Sequence, residues 1–165
     1  MSAGPTLAGL LAAADDVRAG GAADDPWLSD LPLAGIGWAT VELDRAAVEV
    51  AEAFAGAGGP APDWAPAPRE VLLGASAWIA GGDDGRPPIV LLEPDTEGRL
   101  AATLARFGEG VAALYLEVAE GQIADPARLG RSSPGPLGPS RIVLARPAWG
   151  PHLIVIERSI PDAAA

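Results

Sequence analysis

The sequence contains no cysteine, no lysine and no asparagine, and its 165 residues include one histidine, one tyrosine and one methionine. Without cysteine there is no disulfide, no thiolate metal site and no cysteine nucleophile, so the chain carries no signal of redox compartment. Without lysine it cannot form a Schiff base. All of its positive charge is arginine, 11 residues against 22 aspartates and glutamates, for a formal net charge of −11. A nucleic-acid backbone is bound by clustered basic side chains that displace counterions, and this balance opposes that. It keeps a protein soluble and favours a cationic small molecule over an anionic one. Apolar runs stay short of the roughly 18 residues that a membrane helix needs, and the N-terminus lacks the basic start of a signal peptide. These absences lead to the expectation of a cytoplasmic protein with neither a nucleic-acid nor a membrane partner.

What is present suits one folded domain. Hydrophobic residues make up 49% and charged residues 20%, a globular and not a disordered balance. A chain of this length can bury roughly 70% of its unfolded surface. The excess of alanine, glycine and proline reads as coding bias and carries little functional weight.

Residues 5–18 (PTLAGLLAAADDVR) put Leu7, Leu10, Leu11 and Ala14 on one face of a helix that Gly20 and Gly21 are expected to stop. An acidic, proline-containing run at 22–32 follows, with Trp27 and Leu28 to anchor it on a neighbouring surface. Residues 35–43 (GIGWATVEL) alternate as a strand does, and Asp44 stands where it caps a helix running to Ala57. Four prolines in 58–68 (GGPAPDWAPAP) exclude a helix and predict a loop or edge segment carrying Trp64. Residues 71–80 (VLLGASAWIA) read as a strand, joined through GGDDGR to a second strand at 89–92 in a hairpin.

The stretch 86–118 (RPPIVLLEPDTEGRLAATLARFGEGVAALYLEV) organises the rest. Its strand at 89–92 is ended by Pro94 and Asp95. Thr96 then caps a helix with Leu100, Leu104 and Phe107 at helical spacing, and glycines at 108 and 110 stop it before a strand at 111–118. Glycines and prolines crowd 119–140 where a full helix is expected, leaving room for a helical turn at 126–129. A last hairpin, 141–145 with 152–157, closes round PAWGP.

The LLEP, the helix with Leu-Ala and Leu-x-Arg, and the GEG entering a strand that ends LEV resemble methylmalonyl-CoA epimerase, of the vicinal oxygen chelate (glyoxalase and bleomycin-resistance) superfamily. The resemblance covers roughly residues 33–158. It implies an α+β fold in which paired βαβββ modules form a curled mixed sheet, with modules at about 33–94 and 111–158 and the second one degenerate. On this reading residues 1–32 are an N-terminal helical extension and linker, 33–160 a glyoxalase-like domain and 161–165 a tail. The shortened second module leaves apolar sheet surface open, which is the ground for expecting a homodimer unless the N-terminal helix covers it.

The superfamily usually holds a divalent metal through His and Glu or Gln, whose lone pairs must lie about 2 Å from the ion. The resemblance places the four donors at Gly35, Val90, Ala113 and Val155, with Glu157 as the alternative to the last. One possible carboxylate makes no site, so no metal and no cofactor are expected, and metal-dependent epimerase, lyase or dioxygenase chemistry is not expected either. His152 is expected to face away from Val155 in a structural or surface role.

If Gly35 and Ala113 face a cavity, alternation sends Gly37, Ala39, Leu92, Tyr115, Glu117, Leu153 and Glu157 to it as well. Two readings of the small residues stay open: room for a ligand, or close packing of strands. Tyr115 offers a ring and a hydroxyl, Glu117 and Glu157 offer acceptors, and Trp78 and Trp149 stand where they stack on a planar ligand or pack in the core. The expectation is a metal-independent glyoxalase-like protein that binds a small organic molecule in the sheet cavity without catalysis. The alternatives are a cofactor-free isomerase, cyclase or lyase using Tyr115 with Glu117 or Glu157, and a structural interaction module whose cavity is closed.

Overall fold

Three runs of mostly branched apolar residues, 89–92, 112–116 and 153–156, are buried throughout. A strand with no wet face reads as a continuous apolar run because neither row of its side chains meets water. These runs are the inner strands of one seven-stranded mixed sheet. The computed structural model describes residues 6–82, 85–144, 146–147 and 150–159. Its strands are β1 (Leu33–Ala39), β2 (Ala65–Glu70), β3 (Ala75–Ala80), β4 (Ile89–Pro94), β5 (Gly110–Ala119), β6 (Ser140–Ile142) and β7 (His152–Arg158), in the order β2-β3-β4-β1-β5-β7-β6. The helices are α1 (Leu7–Asp24), α2 (Leu43–Gly56) and α3 (Arg99–Phe107), with 3-10 turns at Pro26–Asp30 and Pro126–Arg128. Among the described residues no helix is long and apolar enough to cross a membrane.

The register relates two halves by a pseudo-twofold axis. β1 and β5 pair antiparallel with Ile36 opposite Leu114. Ile36 lies beside Ile89 of β4 in a parallel pair, as Leu114 lies beside Leu153 of β7. One strand further out, β3 runs antiparallel to β4 and β6 antiparallel to β7. The expected α+β fold of paired modules in a curled mixed sheet is therefore the one observed. The second half has no crossover helix, and its counterpart of β2 is reduced to the bridges Leu129 to Val143 and Ser133 to Ser140.

Helices cover both faces. On the convex side α2 buries Leu43, Ala46, Ala47 and Val50 against Ile89 and Leu91. Over the second half, α1 and the turn after it bury Ala14 and Leu28 against Leu114, Leu116, Leu153 and Val155. The Arg18 guanidinium fastens that turn by donating to the carbonyls of Ser29 and Leu31. The apolar surface on which a homodimer was expected is thus covered within the chain. On the concave side Leu100 and Leu104 of α3 pack with Val90, Leu92, Ala113, Tyr115 and Ile154.

Several element boundaries differ from expectation for physical reasons. α1 runs through Gly20 and Gly21 instead of stopping there. Gly21 is buried at a close approach to β7, where a Cβ would stand 2.2 Å from Leu153 Cδ1, so this glycine marks a contact and not a helix end. Of the segment 58–68, expected as loop or edge, residues 65–68 take the edge alternative and begin strand β2, which runs on to Glu70. Pro66 and Pro68 are tolerated because β2 is the outermost strand, where a missing N–H need not be paired. Residues 71–74, expected in a strand, form the turn that follows. α3 begins after Gly98, not Thr96, and ends as expected at Gly108, whose φ of 76° suits a residue without Cβ. The first turn of α2 is held by Glu93, which accepts the Leu43 N–H at 3.0 Å, and not by Asp44.

Candidate functional site

The pseudo-twofold axis maps Gly35 onto Ala113 and Val90 onto Ile154. The fourth position of the expected metal set is therefore Ile154, which corrects Val155. The slip is one residue, and in a strand one residue moves every side chain to the other face. Val155 pairs with Leu116 and packs towards α1, and Leu153 lies on that same convex side. His152 faces away from Val155, as expected, and its role is structural. It sits on the concave side beside Ala113, is buried, and its Nε2 lies 3.2 Å from the Thr103 hydroxyl of α3. Burial, with Arg99 and Arg146 nearby, lowers its pKa to about 4.

The space above the small residues is filled. A Cβ on Gly35 would stand 2.6 Å from Leu137 Cδ1, and one on Gly37 would stand 2.9 Å from Ala113 Cβ and 3.0 Å from Leu92 Cδ1. Close packing is thus the observed alternative. Leu137 arrives on the connection 134–139, which leads into β6. Beneath it Tyr115 is fully buried, and its hydroxyl donates to Glu70 Oε2 at 2.9 Å. Glu70 Oε1 accepts the Leu72 N–H at 3.1 Å. Burial pushes the Glu70 carboxyl up to about 7 although both hydrogen bonds favour its charged form. Burial and the neighbouring Glu70 also raise Tyr115 well above the usual phenol value.

Of the remaining candidates Glu117 keeps the row of Ala113 and Tyr115 near the end of β5, opposite Ile156, and the others lie elsewhere. Trp78 is on the convex side beside Leu91, packed with the α2 cluster. Glu117 accepts from Arg158 at 3.1 Å and Glu157 from Arg141 at 2.7 Å. Neither is the partner of Tyr115, so the pair named for the alternative, cofactor-free reading is replaced by Tyr115 with Glu70. Trp149 lies outside the described residues. The structure brings Gly35, Gly37, Val90, Ala113 and Tyr115 together on one face and separates them from Trp78, Val155 and Glu157. Glu70 went unrecognised because a lone glutamate between Arg69 and an apolar run gives no sign that tertiary packing will bury it.

No protein-family model and no curated protein matches the sequence. Solved structures do match. The methylmalonyl-CoA epimerase of Mycobacterium tuberculosis aligns over 81% of this chain and 91% of its own, with TM-score 0.62 and 18% identity. A Streptomyces coelicolor methylmalonyl-CoA epimerase variant in complex with 2-nitronate-propionyl-CoA aligns over 77% and 96%, with TM-score 0.58 and 20% identity. A hypothetical protein of Bacillus halodurans C-125 aligns over 82% and 99%, with TM-score 0.57 and 18% identity. This chain has the vicinal oxygen chelate fold.

The metal usual in vicinal oxygen chelate proteins does not fit the residues present. Gly35, Val90, Ala113 and Ile154 carry no side-chain lone pair, and a Leu137 methyl stands over Gly35. Among the described residues no three His, Cys, Asp or Glu side chains converge as a metal centre requires.

A hollow of about 470 Å³ opens on the convex side, between α1, the end of α2 and the β3–β4 end of the sheet. Leu10 and Leu11 of α1, Phe54 of α2, Ile79 and Ile89 wall it, and Asp63 and Arg86 are its charged lining residues. None of the site residues expected from sequence lines it.

Proposed function

We propose that this protein binds a small, mainly apolar organic molecule without metal-assisted catalysis, in the hollow between α1 and α2 and not on the concave face. One observation carries the reading: an apolar-walled hollow of about 470 Å³ stands open, while the concave centre is filled by Leu137 and the side chains beneath it. Small-molecule pockets fall at about 300–1,000 Å³ and are lined mainly by hydrophobic side chains with a few polar groups. A fold shared with epimerases does not transfer their reaction, and Gly35, Val90, Ala113 and Ile154 offer nothing to hold a metal that would orient an enolate. The Glu70–Tyr115 pair could hold a proton near neutral pH, but it is sealed under Leu137, so a cofactor-free isomerase would need that seal to open.

A thermal-shift screen of small apolar and amphipathic compounds, run on the wild type and on Ala61→Trp, tests the reading. The indole in the variant enters the hollow from the loop after α2. Compounds that raise the wild-type Tm and leave the variant unmoved support binding there. Equal shifts in both proteins, or no active compound, overturn it. Turnover of a bound compound overturns the non-catalytic part.

A further inference from the structure

The chemistry of the hollow narrows its occupant. Among the described residues its lining contains no hydroxyl, amide, imidazole or indole side chain, and the polar side chains there are those of Asp63 and Arg86. A sugar or a nucleoside, recognised through several side-chain hydrogen bonds, finds few partners there. A hydrocarbon body with one charged head suits these walls.

The sign of that head follows from Arg86. It approaches the mouth from the β3–β4 connection, and its Nη1 reaches towards the loop after α2, 3.8 Å from where a Cβ of Gly59 would stand. The chain is strongly acidic, and Arg45, Arg69, Arg128, Arg141, Arg146 and Arg158 each lie within 4.0 Å of a carboxylate. Arg86 has no such partner among the described residues. A guanidinium presents a planar fork of donors that matches the two oxygens of a carboxylate. Accepting the hollow as the binding site, as argued above, we propose that it takes a monocarboxylate with a hydrophobic tail, of the medium-chain alkanoate or arylalkanoate class. The tail lies against Leu10, Leu11, Phe54 and Ile89, and the carboxylate sits on Arg86. Asp63, the other charged group among the described lining residues, works against an anionic head and weakens binding without changing its site.

Isothermal titration of octanoate, octanamide and octylammonium into the wild type, Arg86→Gln and Asp63→Asn decides the matter, with circular dichroism to confirm that the variants fold. Octanoate is expected to bind most tightly. Arg86→Gln is expected to weaken it about tenfold, as loss of a charged hydrogen bond does, to leave octanamide unchanged, and Asp63→Asn to tighten octanoate. Octanamide binding as tightly as octanoate, with Arg86→Gln indifferent, overturns the carboxylate assignment and leaves the apolar binding site standing. A preference for octylammonium that is lost in Asp63→Asn overturns the assignment in favour of a cation. If none of the three binds, the assignment and the binding site fall together.

Discussion

In the first half of the sheet the convex face is covered by α2, which directly follows β1 in the chain, whereas in the second half it is covered by α1, which comes from ahead of β1. A second contrast runs parallel to it. The connection from β2 to β3 is the short turn 71–74, while its counterpart between the paired Ser133 and Ser140 spans 134–139 and lays Leu137 on the concave face. Symmetry therefore survives in the inner strands, where register enforces it, and fails in what covers them. Loss of the second crossover helix bares one face, and α1 covers it. The reduced counterpart of β2 leaves a longer connection, and that connection supplies Leu137 to close the other face. The hollow then lies at the seam between the borrowed cover α1 and the native cover α2, two elements whose fit no internal symmetry dictates.

The heaviest blow to this comparison is removal of residues 1–32. The cut strips Ala14 and Leu28 from Leu114, Leu116, Leu153 and Val155. Each large apolar side chain that loses burial costs about 1.5–3 kcal/mol, and several do so at once in a domain whose total stability is about 5–15 kcal/mol. The truncated chain is expected to lose cooperative urea unfolding followed by circular dichroism. A midpoint close to that of the full chain would mean that α1 is no substitute for a crossover helix. Light scattering adds a sharper outcome: a folded dimer of the truncated chain would show the bared face pairing with a second copy.

Next in size is a pH effect that sets Glu70 of the first half against His152 of the second. The folded Glu70 keeps its proton up to about pH 7, while the unfolded chain loses it near 4.5. Its contribution is complete below pH 4.5 and is lost as pH rises through 7. The folded His152 stays neutral down to about pH 4, while the unfolded chain takes up a proton near 6.5. Its contribution is complete above pH 6.5 and is lost as pH falls towards 4. Each effect is on the order of 3 kcal/mol, and between pH 4.5 and 6.5 the two oppose each other. The wild-type Tm is expected to be nearly flat there as far as these groups decide it. Glu70→Gln is expected to melt progressively lower on acidification below 6.5, and His152→Gln progressively lower as pH rises from 4.5 to 7. Melting curves that keep the wild-type profile in either variant would remove that group from the account.

How far these features were legible in the sequence depends on the kind of signal each one left. The inner strands were readable because 89–92 and 111–118 are apolar runs bounded by proline and glycine, and their surroundings carried the resemblance that predicted the fold. The register of β7 was not, because the turn before it can be counted one residue either way and parity magnifies the error: Val155 was chosen over Ile154, although His152 was rightly set on the face opposite Val155. β2 was left open between loop and edge because Pro66 and Pro68 argue against a strand everywhere except at an edge, and edge position is a property of the whole sheet. Gly21 looked like a stop because the contact that requires it, Leu153, lies 132 positions away. At the candidate site the small residues at 35, 37 and 113 announced themselves, but what fills the space above them could not be read from the glycine- and proline-rich segment that carries Leu137.

The finest test of the comparison is whether Leu137 and Gly35 act as plug and socket. Gly35 has an ordinary backbone conformation, since it is not among the glycines with positive φ, so alanine there is not strained by the backbone. In a strand, replacing glycine by alanine alone gains roughly 0.5–1 kcal/mol. The new Cβ would meet Leu137 Cδ1 at 2.6 Å, and overpacking of this kind costs about 1–3 kcal/mol, so Gly35→Ala is expected to destabilise the wild type. Leu137→Ala is expected to cost about 2 kcal/mol, at the low end for a leucine because the side chain is half-buried. Once Leu137 is trimmed, the obstacle to a Cβ at Gly35 is gone, and Gly35→Ala should become neutral or stabilising. The double-mutant cycle, read from urea midpoints, is therefore expected to give a coupling of about 1–2 kcal/mol with a change of sign in the Gly35→Ala effect. Equal costs of Gly35→Ala in both backgrounds would place Leu137 outside the socket, and the filled concave centre, on which the choice of the α1–α2 hollow rests, would have to be given up.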